Sequence, residues 1–175
     1  MRPDIDQPAN GKGGFRGLKV VAKTPESSLI TSFHLEAANG SVLPAFRPGQ
    51  FLVFKIPSGD AKGYVLRNYS LSGAPDDATL YRISVKREPS ARPGLPVGLS
   101  SNYLHDSIGV GDVLTVDGPR GDFVLDETSN RPVVLLSGGV GLTPMVAMLH
   151  RLASHSTRRV LFLHACDNGD VHALR

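Results

Sequence analysis

The chain has 175 residues, 41% of them hydrophobic and 20% charged, with a formal net charge of +3, one cysteine and no tryptophan. This is enough apolar content for a packed core and too little charge for a chain disordered throughout. A lone cysteine, Cys166, excludes an intramolecular disulfide framework, a four-cysteine zinc site and a plant-type iron–sulfur cluster within these residues. The mild charge, with no Lys/Arg cluster, gives no case for nucleic acid.

In chain order, Met1–Gly14 has no apolar run and is not a signal peptide; its Pro, Gly and Asn content predicts a flexible lead-in, and a cytoplasmic protein is expected. Phe15–Thr24 and Leu29–Ala37 read as strands joined by a turn at Pro25-Glu26-Ser27. Asn39-Gly40 marks a tight turn, and Arg47-Pro48-Gly49 closes the next loop. Gln50–Ile56 and Tyr64–Leu71 follow as strands. In Leu80–Lys86 alternation sets Tyr81, Ile83 and Val85 on one face and Arg82, Ser84 and Lys86 on the other. Pro89, Pro93 and Pro96 make Glu88–Gly98 an extended loop; Ser101–Ser107 is a short helix and Asp112–Val116 a strand. Short strands at this spacing, punctuated by the chain's 19 glycines and 13 prolines, predict an antiparallel sandwich or barrel.

After Glu127 the pattern changes. Val133–Leu136 is a continuous apolar run, expected to be a strand buried on both faces. Thr143–Ser154 has helical spacing, with Met145, Met148, Leu149 and Leu152 on one side, and Arg159–His164 is a second buried strand. Strand, helix, strand opens a parallel α/β unit. Pro132–His150 carries no acidic or strongly basic side chain, which raises the question of a membrane span. Gly138, Gly139, Gly141 and Pro144 answer it, because Gly weakens a helix by about 1 kcal/mol and Pro by about 3.

Three segments could carry chemistry. Ser137–Pro144 (SGGVGLTP) lies between a buried strand and a helix, where glycines admit a phosphate and the helix start offers free N–H groups. Thr143 is a candidate N-cap and Pro144 suits the first helical turn; a glycine-rich turn with no ligand is the plain alternative. Arg67-Asn68-Tyr69-Ser70 ends a strand and offers a guanidinium fork, a flat ring and a hydroxyl, or is simply a surface strand. Gly98–Asn102 opens the short helix and is a second candidate anion site, or Ser101 merely caps it. The histidines (34, 105, 150, 155, 164 and 172) show no metal-ligand spacing and read as structural or surface. Cys166 reads as packing, with a redox thiol the alternative.

These segments, in this order, resemble the ferredoxin–NADP reductase superfamily, most closely the reductase module of flavohemoglobins (nitric oxide dioxygenases). The resemblance runs from about Phe15 to Arg175. It rests on RPGQF at 47–51, RNYSLS at 67–72, YRISVKRE at 81–88, GLSSNYLH at 98–105, GPRGDF at 118–123, LSGGVGLTPM at 136–145 and HACDNGDVHA at 164–173.

The resemblance implies a Greek-key antiparallel β-barrel that binds FAD over residues 15–126, then the start of an α/β parallel-sheet NAD(P)H-binding domain at 127–175. It implies that Arg67 pairs with the FAD phosphates, with Asn68 beside it. Tyr69 packs on the isoalloxazine and Ser70 sits near N5, these two being the residues at the reacting centre. Phe51 falls where flavohemoglobins place a tyrosine against FAD, so stacking survives but a hydroxyl contact does not. Ser84, Val85 and Lys86 line the flavin edge through backbone groups. Gly98 and Ser101 hold the pyrophosphate, and Gly139, Val140, Gly141, Thr143 and Pro144 form the nicotinamide-side turn. The implied chemistry is hydride transfer from nicotinamide C4 to flavin N5, then single-electron release to a haem globin or 2Fe-2S partner. No metal site and no acid–base dyad is required. The acidic stretch Cys166–Asp170, without an arginine for a 2′-phosphate, favours NADH over NADPH. Family members continue through further strands, so a flavin-binding fragment without turnover is the alternative expectation.

Overall fold

The computed structural model describes residues 14–89 and 98–174. Apart from Gly14, the expected lead-in lies outside the described residues, as does most of the proline-rich loop before Gly98.

Six strands form one antiparallel sheet: β1 (Arg16–Pro25), β2 (Ile30–Ala37), β3 (Phe51–Pro57), β4 (Tyr64–Ser70), β5 (Tyr81–Lys86) and β6 (Val113–Arg120), in the spatial order β4-β3-β6-β1-β2-β5. The two ends of that order meet just past β4. There Leu71 bridges Ile83, and the Ser72 N–H donates to the Arg82 carbonyl at 2.8 Å, giving a barrel-like closure. Period-two alternation turns Leu18, Val20, Phe33, Leu35, Leu52, Phe54, Ile56, Ile83, Val85, Leu114 and Val116 into one interior cluster. Each such burial contributes about 1.5–3 kcal/mol. The expected turns are present: Glu26 and Ser27 donate to Ile30, Gly40 to Ala37, and Gln50 to Arg47.

Helix α1 (Leu99–Ser107) joins β5 to β6. It begins two residues before the predicted start, because Ser101 sits inside its first turn. The Ser101 hydroxyl accepts from the Glu88 N–H at 3.2 Å and donates to the Gly98 carbonyl at 3.3 Å, so Ser101 is not the N-cap.

The second unit is a parallel pair, β7 (Val133–Gly138) and β8 (Val160–Ala165), crossed by α2 (Leu142–His155). Met148 and Leu152 of α2 bury Leu135 and Leu125, with Met145, Leu149, Val133 and Phe162 packed around them, as the helical spacing predicts. The expectation of strands buried on both faces is not met. Val134 and Leu136 are 60% and 68% exposed, and Leu161 and Leu163 are also exposed. Helix α2 covers one face, and among the described residues nothing covers the other. A continuous apolar run in sequence does not reveal how many layers lie against it. Thr143 is not the N-cap either: Gly141 holds that position, and the Thr143 hydroxyl donates back to the Val140 carbonyl at 3.1 Å.

The two units are in contact. Ala147 of α2 is fully buried within the barrel's own cluster. Arg151 of α2 bonds Asp76, in the loop before β5, and Glu127 at 2.6 Å, while His155 lies 2.8 Å from the Asp76 carboxylate. Asp170, after β8, accepts two hydrogen bonds from Ser28 in the β1–β2 turn. Among the described residues no helix is long and apolar enough to cross a membrane.

Candidate functional site

Strand β4 pairs with β3 alone along its length, and Leu66, Arg67 and Asn68 are exposed on it. Register sets Phe54 opposite Arg67, Leu52 opposite Tyr69 and Phe51 opposite Ser70. The Tyr69 ring is half-buried and stands edge-on to Phe54 at 5.3 Å and 82°. Burial pushes its phenol up to about 12 against the opposing field of Arg67, so it remains a neutral hydroxyl at ordinary pH. Arg67 donates to the Leu66 carbonyl at 2.8 Å, and no carboxylate pairs with it among the described residues. Phe51 lies over Gly121, which has φ +107°; a Cβ there would come within 2.7 Å of the ring. Gly121 therefore lets the loop after β6 approach the aromatic side chain.

Strand β5 presents two different edges. The Arg87 N–H bonds Leu29 and the Ser72 N–H bonds the Arg82 carbonyl. Alternation therefore directs the backbone groups of Val85 towards β2 and those of Ser84 and Lys86 to the opposite side, the one on which Leu71 bridges Ile83. The Val85 carbonyl also accepts from His105 Nε2 at 2.9 Å. Of the three β5 residues picked out in the sequence, Ser84 and Lys86 face away from β2 and Val85 does not; Ser84 adjoins the Leu71–Ile83 bridge, and among the described residues the edge is open past it, at Lys86. Ser84 is itself buried: its hydroxyl lies 2.7 Å from that of Ser32 and 2.9 Å from that of Ser72, which also accepts from Arg82 Nε at 3.2 Å.

A cavity of about 280 Å³ opens where β5 meets the glycine turn, lined by Leu29, Ile30, Lys86, Gly138–Val140, Ala165–Asp167 and Val171. Gly139 has φ +50°, a value that lets the chain leave β7 sharply and enter α2. Lys86, Gly139 and Val140 are thus brought together. Gly141, Thr143 and Pro144 do not line the cavity and belong to the start of α2. Cys166, read as a packing residue, lies on the cavity wall with its thiol donating to the Asn168 carbonyl at 3.3 Å. Asp167 belongs to the acidic stretch Cys166–Asp170 that the sequence linked to NADH, whereas nothing in the sequence pointed to Leu29 and Ile30 beyond their place at a strand start.

At the start of α1, Gly98 and Ser101 come together with Ser100, whose buried hydroxyl has no hydrogen-bond partner among the described residues. No cluster of metal-ligating side chains occurs among the described residues.

Residues 17–125 match the family model of the oxidoreductase FAD-binding domain. The chain belongs to that family. It is 49% identical over 166 residues to a flavohemoprotein of Bordetella pertussis, covering 94% of this chain and 40% of that protein. It is 48% identical over 174 residues to a flavohemoprotein of Deinococcus radiodurans, covering 97% of this chain and 41% of the relative. The chain thus spans about 40% of the length of the curated relatives it matches. Among solved structures, it superposes with a TM-score of 0.83 and 40% identity on the flavohem-like FAD/NAD-binding domain of nitric oxide dioxygenase from Vibrio cholerae, covering 90% of this chain and 65% of that one. Phthalate dioxygenase reductase, described as modular for electron transfer from pyridine nucleotides to [2Fe-2S], superposes at 0.78 with 30% identity, over 91% of this chain and 46% of that one.

The donors present in this FAD-binding domain suit a dinucleotide. Among the described residues Arg67 is an exposed guanidinium without a carboxylate, the Ser100 hydroxyl is buried and unpartnered, and α1 opens without a side-chain cap on its first amides.

Proposed function

We propose that this chain is the flavin-binding and nucleotide-facing part of an FAD-dependent NAD(P)H reductase that passes electrons to a haem globin or a 2Fe-2S partner, as in a nitric oxide dioxygenase. The observation that carries the reading is the cavity between Lys86, at the end of β5, and Gly139-Val140 of the glycine turn. It adjoins the open edge of an FAD-family barrel and the first turn of an α/β unit, the two surfaces a flavin and a nicotinamide must share.

In this reading the barrel is a Greek key over residues 15–126, and 127–175 begin the NAD(P)H-binding domain. FAD held by these residues would supply the redox chemistry, hydride uptake from a nicotinamide and single-electron release. The protein contributes position. Arg67 and the first turn of α1, with Gly98 and Ser101, hold phosphate oxygens. Asn68, Tyr69 and Phe51 bound the ring, Ser70 offers a hydroxyl at its reacting edge, and Ser84 and Lys86 offer backbone groups along the other edge. Gly139, Val140 and Gly141 admit the nicotinamide side, with Thr143 and Pro144 starting the helix behind them. Asp167 on the cavity wall, in a stretch lacking arginine, favours NADH. A cytoplasmic setting, where pyridine nucleotides are supplied, completes the reading.

Purified protein should be yellow, or become so with FAD, and anaerobic NADH should bleach it. A preparation that stays colourless with added FAD refutes the flavin reading. Yellow protein that NADH does not bleach instead supports a flavin-holding fragment without turnover.

A further inference from the structure

Helix α1 is too short to be stable by itself, and its one large buried apolar side chain is Leu104. Polar tethers must therefore set its position. From β1, Lys23 Nζ donates to the carbonyls of His105 and Ile108 at 2.7 Å each and reaches that of Leu104 at 3.5 Å, satisfying carbonyls that the helix end leaves free. From the segment after β5, Arg87 donates to Asn102 and to both carboxylate oxygens of Asp106.

His105 makes a different connection. Among the described residues it is the α1 side chain hydrogen-bonded to the main chain of a barrel strand, through Nε2 and the Val85 carbonyl at 2.9 Å. A carbonyl only accepts, so Nε2 carries the proton. In the neutral ring Nδ1 then faces the Thr31 hydroxyl at 3.5 Å, and Phe33 meets the ring edge-on at 6.4 Å. The imidazole is thus gripped by β2, β5 and α1 together. Lys23 from β1 and Arg87 after β5 face it as cations, with Asp106 on its own helix opposing them. Burial first, and then these cations, favour the neutral form, against the Val85 hydrogen bond and Asp106, which favour the charged one.

We propose that His105, supported by Lys23, is a positioning residue for FAD: it locks α1 to β5 so that the helix start and the strand's open edge keep the spacing one dinucleotide must bridge. This rests on the reading that the first turn of α1 receives the FAD diphosphate. The amides of that turn can hold a phosphate only from a fixed place: Glu88 ties the helix start through Gly98, Ser101 and Asn102, and His105 fixes the opposite end, which sets the tilt. A small tilt of α1 about Leu104 would carry those amides away from the flavin edge.

The test compares wild type with His105→Leu, which fills the space without donating, and His105→Gln, which retains an amide N–H for the Val85 carbonyl. FAD affinity is followed by fluorescence titration, and apoprotein stability by thermal melting. His105→Leu should weaken FAD binding by about tenfold or more, and His105→Gln should restore most of it at a similar melting temperature. Wild-type FAD affinity in His105→Leu overturns the proposal, as does parallel loss of stability and affinity in both variants. If His105→Leu does not fold, Lys23→Met removes the second tether and should weaken FAD binding in the same direction; unchanged affinity there counts against the proposal. Riboflavin, which has no phosphate, tests the underlying reading separately. Wild type that binds riboflavin as tightly as FAD refutes the diphosphate site, whereas strong discrimination with no effect of His105 refutes only the lock.

Discussion

Arg67 has an exposed guanidinium on an exposed strand, bonded among the described residues to its neighbour's carbonyl alone. A charge-assisted hydrogen bond to phosphate contributes about 1.5–3 kcal/mol. Arg67→Ala should therefore weaken FAD retention about tenfold to a hundredfold in equilibrium dialysis; unchanged retention would contradict its assigned role. The histidines make a second residue-scale prediction. His34, His105, His150 and His164 are all held below the ordinary value of 6.5, with burial the first cause in each. Their neutral forms are favoured in the folded chain, so the unfolded chain binds more protons as the medium acidifies. The associated stability is present above 6.5 and is lost as pH falls from there through the lowered folded values. Urea midpoints should drop between about pH 8 and about pH 5.5; a flat profile would show that these rings titrate as if unfolded. The sequence reads the histidines as structural or surface without telling which is which, because burial is set by neighbours far along the chain.

At the scale of elements, the barrel strands were largely legible, because alternation such as that of Tyr81, Ile83 and Val85 maps directly onto inside and outside. The helix starts were legible only approximately. Ser101 and Thr143 carry hydroxyls suited to capping, yet both turn back onto carbonyls within or before the first turn. Ser84 shows the same limit: alternation set it on the polar face, but its hydroxyl is buried between those of Ser32 and Ser72. Ser84→Ala should leave the Ser32 hydroxyl buried without this partner, at a cost of about 1–3 kcal/mol. Chemical denaturation would measure it, and a change near zero would mean that the hydroxyls reorganise among themselves.

For the whole molecule, the decisive arrangement is the seat of α2 on the barrel. Ala147 enters the barrel core, Gly49 lies against the Phe123 carbonyl and the Met148 methyl, and Arg151 joins Asp76 to Glu127. An isolated surface ion pair contributes about 1 kcal/mol at most, but Arg151 binds two carboxylates on different segments. Arg151→Met should leave FAD retention unchanged and slow the anaerobic bleaching of flavin by NADH, more so at low salt, as read by stopped-flow absorbance. Equal bleaching rates would show that apolar packing alone aligns the two units.

The sequence alone determined the strand periodicity, the glycine turn between a strand and a helix, and the motifs that carried the family resemblance. These depend on side-chain type and on spacing over a few residues. Only the tertiary structure decided which edge of β5 is open, which residues wall the cavity, how His105 and Lys23 hold α1, and that β7 and β8 are covered on one face. Those outcomes depend on groups brought together across many intervening residues, such as Lys23 with Ile108 and Lys86 with Cys166. Local pattern carries no record of such pairs, since the partners lie far apart in the chain and meet only when the intervening loops close.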